Sequence, residues 1–246
     1  MITLEICCGS VADAKAAELA GADRIELNSA LPLGGLTPDI GSLSLIKEQV
    51  KLPVISMLRP RAGGFCYTDD EYETMKKSAQ VLLEAGSDGL AFGFLKEDRT
   101  IDGLRTREFT ELVHLYGREA VFHRAVDVTR QIDTAVEQLI EAGVDRVLTS
   151  GGGRTAIAGA ECLERLQRQY GTAIQIMAGS GIRNGNVESL LQQTGIRQIH
   201  SFCGGTAVDK SARGNDVSFA CAAEPEWYRY EVVAQEEVQR LRRVLE

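Results

Sequence analysis

Charged and acid–base side chains stand in this sequence where buried strands ought to be apolar. Glu5 sits in Leu4-Glu5-Ile6, Glu26 in Ile25-Glu26-Leu27 and His123 in Phe122-His123-Arg124. An unpaired buried charge is costly, so such groups need partners. Arg59, Arg61 and Arg124 are the natural ones. Glu5, Glu26, His123 and Asp127 are candidates for proton transfer. The arginines would clamp a carboxylate or phosphate through paired hydrogen bonds. The rival reading is an ion-pair network with no chemistry, since such networks also perturb titration.

Two further sets accompany these groups. Thr149-Ser150 runs into Gly151–Gly153, Gly179-Ser180-Gly181 forms a second small-residue turn, and His200-Ser201 leads into Cys203-Gly204-Gly205. Backbone amides in such turns can hold an anion, although glycine also serves simply to make tight turns. Six cysteines occur without any C-x-x-C spacing, so zinc-ribbon and thioredoxin patterns are absent. Cys7, Cys8, Cys66 and Cys203 could reach the same region, and thiolates suit cuprous ion or zinc. Each alone reads as well as a small buried apolar residue. Cys7 and Cys8 are neighbours, so on a strand they point to opposite faces.

A repeating unit must position these residues. Short β-branched runs predict strands at Thr3–Cys7, Arg24–Leu27, Val54–Leu58, Gly89–Phe92, Ala120–His123, Arg146–Leu148, Ile174–Met177 and Gln198–His200. Helical stretches fill the gaps, at about Val11–Ala20, Ile40–Val50, Asp69–Ala85, Thr106–Tyr116, Asp133–Ala142, Ile157–Gln169 and Val187–Gln192. Ala20-Gly21-Ala22-Asp23, Ala85-Gly86-Ser87-Asp88 and Ala142-Gly143-Val144-Asp145 each precede a strand, and Gly195 does so without the acid. Glycine just past a helix end closes it in the left-handed conformation. Alternating βα units imply a parallel sheet with right-handed crossovers. Eight of them predict a (β/α)₈ TIM barrel, here one domain over residues 1–246. The alternative is an open doubly wound sheet, but no G-x-G-x-x-G follows the first strand. The charged stretch from about Glu224 to Glu246 reads as the closing helix, and Asp209–Ala223 as a polar loop near the mouth. In such barrels the site lies at the carboxyl ends of the strands.

Composition narrows the function classes. The 27 basic against 35 acidic residues give a net charge of −8, which argues against a nucleic-acid partner. No apolar run reaches a membrane span, and the first residues lack a signal-peptide pattern. A cytoplasmic location with reduced thiols is the expectation.

Taken in order, several motifs resemble the CutC family. They are Glu5-Ile6-Cys7, Gly21 to Leu27, Gly34-Gly35-Leu36-Thr37-Pro38, Arg59-Pro60-Arg61, Phe122-His123-Arg124-Ala125 with Asp127, Arg146 to Gly151, Met177-Ala178-Gly179 and His200-Ser201. The resemblance covers about the first two hundred residues. It implies a cytoplasmic (β/α)₈ barrel, a part in copper homeostasis with copper(I) binding, and homodimers or higher homo-oligomers. Cys7 with Cys8 or Cys203 would then be the metal ligands. The chain departs from the family's pattern at Asn28, where relatives carry cysteine, at Gly64, where they carry an acid, and at Arg213-Gly214-Asn215, where an Arg-Asn pair is interrupted. The residues themselves point to a second function: an enzyme acting on a small anionic or phosphorylated metabolite. In that reading Glu5, Glu26, His123 and Asp127 are catalytic. Arg59, Arg61, Arg124, Thr149, Ser150, Gly179, Ser180, Gly181, His200 and Ser201 hold the anion. A module without chemistry is the third possibility.

Overall fold

The computed structural model describes residues 2–212 and 228–246. Eight parallel strands close into a barrel in sequence order: β1 Thr3–Cys8, β2 Arg24–Leu27, β3 Val54–Met57, β4 Gly89–Phe92, β5 Glu119–Phe122, β6 Arg146–Thr149, β7 Gln175–Gly179 and β8 Gln198–Ser201. Helices follow them in turn: α1 Val11–Leu19, α2 Ile40–Gln49, α3 Asp69–Glu84, α4 Gly103–Leu115, α5 Ile132–Glu141, α6 Ala160–Tyr170 and α7 Val187–Thr194. After β8 come β9 Gly204–Val208, β10 Arg229–Val233 and α8 Gln235–Leu245.

Helix ends are set by local chemistry. Asp39 caps α2 through Ser42 N–H, and Thr68 with Glu71 forms a full capping box on α3. Gly21, Gly86, Gly143 and Gly195 all have positive φ, which a side chain would strain. The acids beside three of them do a second job. Asp23, Asp88 and Asp145 accept the N–H of Leu4, Val54 and Ala120 at 2.8, 2.9 and 2.8 Å. Each acid thus pins the start of the preceding strand.

Most of the core lies between barrel and helices and includes Leu4, Ile6, Ile25, Leu27, Val147 and Ile199. A second small cluster, Ile55, Met57, Ala91 and Val121, comes from β3, β4 and β5. Polar and charged side chains meet elsewhere along the barrel: Glu5, Arg24, Arg146 and Gln198 are linked by hydrogen bonds, and Arg146 pairs with Glu119 of β5.

The expected closing helix is corrected in extent. Residues 224–227 lie outside the described residues, and 229–233 form a strand antiparallel to β9. Tyr230, Val232 and Val233 favour a strand, while the acids and arginines that suggested helix lie in α8. The expected loop at 209–223 holds a short 3-10 turn at Lys210–Ala212, and its remainder, with Arg213 and Asn215, lies outside the described residues.

Candidate functional site

β1 has β2 on one side and β8 on the other, and register does the rest. Cys7 lies opposite Glu26, and Glu5 lies opposite both Arg24 and His200. Strand alternation sends Leu4, Ile6 and Cys8 into the helix layer and Glu5 and Cys7 toward the axis. The result is a compact group at the barrel mouth. Glu5 Oε1 lies 2.7 Å from His200 Nδ1. His200 Nε2 and Cys7 Sγ each lie 3.9 Å from Glu26 Oε2. Asn28 Nδ2 donates to Glu26 Oε2 at 2.8 Å and to Cys7 Sγ at 3.4 Å.

Burial governs the electrostatics. It pushes the Glu5 carboxyl up, but Arg24 and the His200 bond outweigh it and hold the group well below the usual range. Burial raises the Cys7 thiol to about 11, with His200 opposing only in part. Burial would discharge His200, yet Glu26, Cys7 and Glu5 together raise it well above its ordinary value. Burial also raises Glu26, assisted by Glu5 and opposed by His200. Near neutral pH Cys7 is therefore a thiol, beside a protonated His200 whose far nitrogen faces an ionised Glu5.

Those donors suit a metal ion. Cys7, Glu26 and His200 each offer one ligand atom, all within 4.8 Å of one another. Glu5 on Nδ1 leaves Nε2 as the ligating nitrogen, the usual carboxylate–histidine arrangement around a bound metal. Cys8 and Cys203, the expected alternative thiol partners of Cys7, are not members of this group. Cys8 is fully buried on the opposite strand face, with Sγ toward Ile6 O. Cys203 has a left-handed φ of 48° and its Sγ lies 3.4 Å from Ser201 Oγ. Among the described residues, the one group of three or more donors this close is Cys7, Glu26 and His200. Asn28, where the resemblance led one to expect a thiol, instead holds Glu26 and Cys7 by hydrogen bonds.

The remaining candidates divide. Arg59 donates to Leu33 O, Gly35 O and Gly63 O, lies over the Phe65 ring, and so joins the loops after β2 and β3. Arg61 pairs with Glu71 at the start of α3. Asp127 accepts from Arg124 Nε, Thr149 Oγ1, Ser150 N and Oγ, and Gly152 N. A carboxylate so fully engaged is a loop anchor rather than a base, and it draws Arg124, Thr149 and Ser150 into that anchor. His123 accepts from Ala125 N at 3.2 Å, and its Nε2 is buried without a partner. Burial, with Arg59 adding repulsion, pushes it down to about 3, so it is neutral.

A cavity of about 490 Å³ opens at the carboxyl ends of β1, β5, β7 and β8. Cys7 and His200 line it together with Arg124, Ser180, Gly181 and Arg183. Gly179 ends β7 just before this loop, and Ser201 reaches the cavity wall while donating to Ile182 O. Arg183 escaped the sequence reading. Its signal was position alone, in the loop after the seventh strand.

Residues 2–205 match the CutC family. A CutC family protein of Treponema denticola is 46% identical over 199 residues, covering 81% of this chain and 80% of that protein. One from Chromobacterium violaceum is 36% identical over 245 residues, covering 99% and 98%. A crystal structure of a CutC protein from Streptococcus agalactiae, named for copper homeostasis, superposes with a TM-score of 0.77 at 30% identity. It covers 82% of this chain and 99% of its own. N-(5'-phosphoribosyl)anthranilate isomerase from Pyrococcus furiosus superposes at 0.58 with 12% identity over the whole chain, a likeness of fold alone.

Proposed function

The chain belongs to the CutC family, and from that premise we propose that it binds one copper(I) ion at Cys7 and His200, with Glu26 beside them. The observation that carries this reading is the meeting of thiol, imidazole and carboxylate within 4.8 Å, with Glu5 fixed on the far imidazole nitrogen. A thiolate and an imidazole are suitable copper(I) donors. The ligands are the thiolate and the neutral imidazole, so binding expels one proton from Cys7 and one from His200 Nε2. The same reading makes this a cytoplasmic protein of copper homeostasis, where reducing conditions keep its thiols free. In keeping with that, no helix among the described residues is long and apolar enough to cross a membrane. Assembly into a homodimer or larger homo-oligomer is part of the proposal, and exposed Leu19, Leu104 and Leu115 on the outer helices offer apolar surface for it.

An anaerobic cuprous titration tests the reading. One ion per chain is expected. Cys7→Ser and His200→Gln should each weaken binding by at least about 100-fold, the upper range for losing a mere supporting group. Cys8→Ser and Cys203→Ser should bind like the parent. Full affinity in Cys7→Ser would overturn the proposal.

A further inference from the structure

The cavity beside Cys7 and His200 is far larger than a metal ion requires. Its volume of about 490 Å³ suits a small organic molecule. Besides His200, three charged residues line it: Arg124, Arg183 and Glu237. Glu237 already accepts from Arg240 at 2.5 Å. Arg124 gives Nε to Asp127 and Nη2 to Ser150, which fixes its plane and leaves Nη1 available. The exposed Arg183 guanidinium makes no hydrogen bond or ion pair among the described residues. On a chain of net charge −8, two guanidiniums facing one engaged carboxylate reverse the sign locally.

The backbone adds donors to the same wall. Ser180 and Gly181 have φ of 83° and 70°. The turn is pinned by Ser180 Oγ to Arg154 O at 3.1 Å and by Ala156 N to Ser180 O at 2.9 Å. The N–H groups of Gly181 and Asn184 have no acceptor among the described residues. Barrels of this architecture often bind phosphate after strands seven and eight.

We propose that this cavity binds a small organic molecule through a phosphate group held by Arg183, Arg124 and the Ser180–Gly181 turn, with the rest of the molecule against Cys7 and His200. Three terminal oxygens can meet guanidiniums and turn amides at once, whereas a carboxylate has two. The proposal shares Cys7 and His200 with the metal reading but does not require the ion, so metal-free protein separates the two.

Isothermal titration of metal-free full-length protein with inorganic phosphate at low ionic strength is the test. Saturable binding is expected. Arg183→Gln should weaken it about tenfold, the worth of one charge-assisted hydrogen bond. Arg168→Gln, an exposed arginine on α6, should leave it unchanged. Acetate should bind about tenfold more weakly than phosphate, having fewer oxygens to meet the donors. Absence of saturable phosphate binding, equal affinity in Arg183→Gln and the parent, or acetate as tight as phosphate would each overturn the proposal, whatever the cuprous titration gives.

Discussion

Glu5 touches neither the thiol nor Glu26, yet it organises both. One oxygen meets Arg24 and the other His200 Nδ1. It thereby directs His200 Nε2 toward Glu26 and Cys7, and it balances two arginines that reach into the barrel. Glu5→Gln keeps the shape and removes the charge. Breaking a buried ion pair on one side costs about 3–5 kcal/mol, so the urea midpoint should fall clearly. Copper(I) affinity should fall about 10- to 100-fold, as for other partners of a ligating histidine. A variant with unchanged midpoint and affinity would show that Glu5 is a bystander. Glu5 and Glu26 are conspicuous in the sequence as charged residues between apolar neighbours. Their grouping with His200 is not, because Glu5 and His200 stand 195 positions apart. Only closure of the barrel, which makes the last strand a neighbour of the first, brings them together. The separation of Cys7 from Cys8 was legible, because adjacent residues on a strand point to opposite faces.

At the scale of elements, the glycine and acid before β2, β4 and β6 make the barrel legible. Gly143 ends α5 with φ 79°, and Asp145 two residues later accepts from Ala120 N and meets His114 Nε2 at 2.8 Å. Gly143→Ala places a side chain in the left-handed region with Thr110 Cγ2 3.7 Å from the new carbon, so space is not the obstacle. The conformational cost alone should lower stability by about 1–2 kcal/mol, read as a fall in Tm with an unchanged fold. An unchanged or raised Tm would mean that the turn relaxes at no cost. The eight strands were foreseeable because β-branched runs recur between these turns. β10 was hidden because its five residues sit in a stretch dominated by glutamate and arginine, and because its partner β9 is supplied by a glycine-rich segment. Asp13 then receives Val233 N–H at 2.7 Å and ties this hairpin to α1, a bond across 220 positions that no local pattern announces.

The whole molecule places apolar residues on one side of its barrel and charge on the other, and acid should act on that division. His123 is held neutral, down to about 3 against an ordinary 6.5. Below about pH 6.5 the unfolded chain takes up a proton that folded His123 refuses. Its contribution to stability is therefore complete above that pH and drains as pH falls toward 3. Glu5, held low when folded, adds a loss in the same direction below its ordinary 4.5. His200, raised when folded, works oppositely: its stabilisation is full below 6.5 and lost only as pH rises through its elevated folded value. Urea midpoints of His123→Asn should accordingly fall less steeply between pH 6.5 and 4 than those of the parent, and parallel slopes would contradict this. The central claim is that one thiol and one imidazole, not a cluster of thiols, hold the copper. X-ray absorption at the copper edge of protein loaded with one cuprous ion under anaerobic conditions reads those ligands directly. The account predicts a single sulfur together with imidazole nitrogen, and the sulfur signal absent in Cys7→Ser. Two or more sulfurs, or a sulfur signal that survives Cys7→Ser, would contradict it.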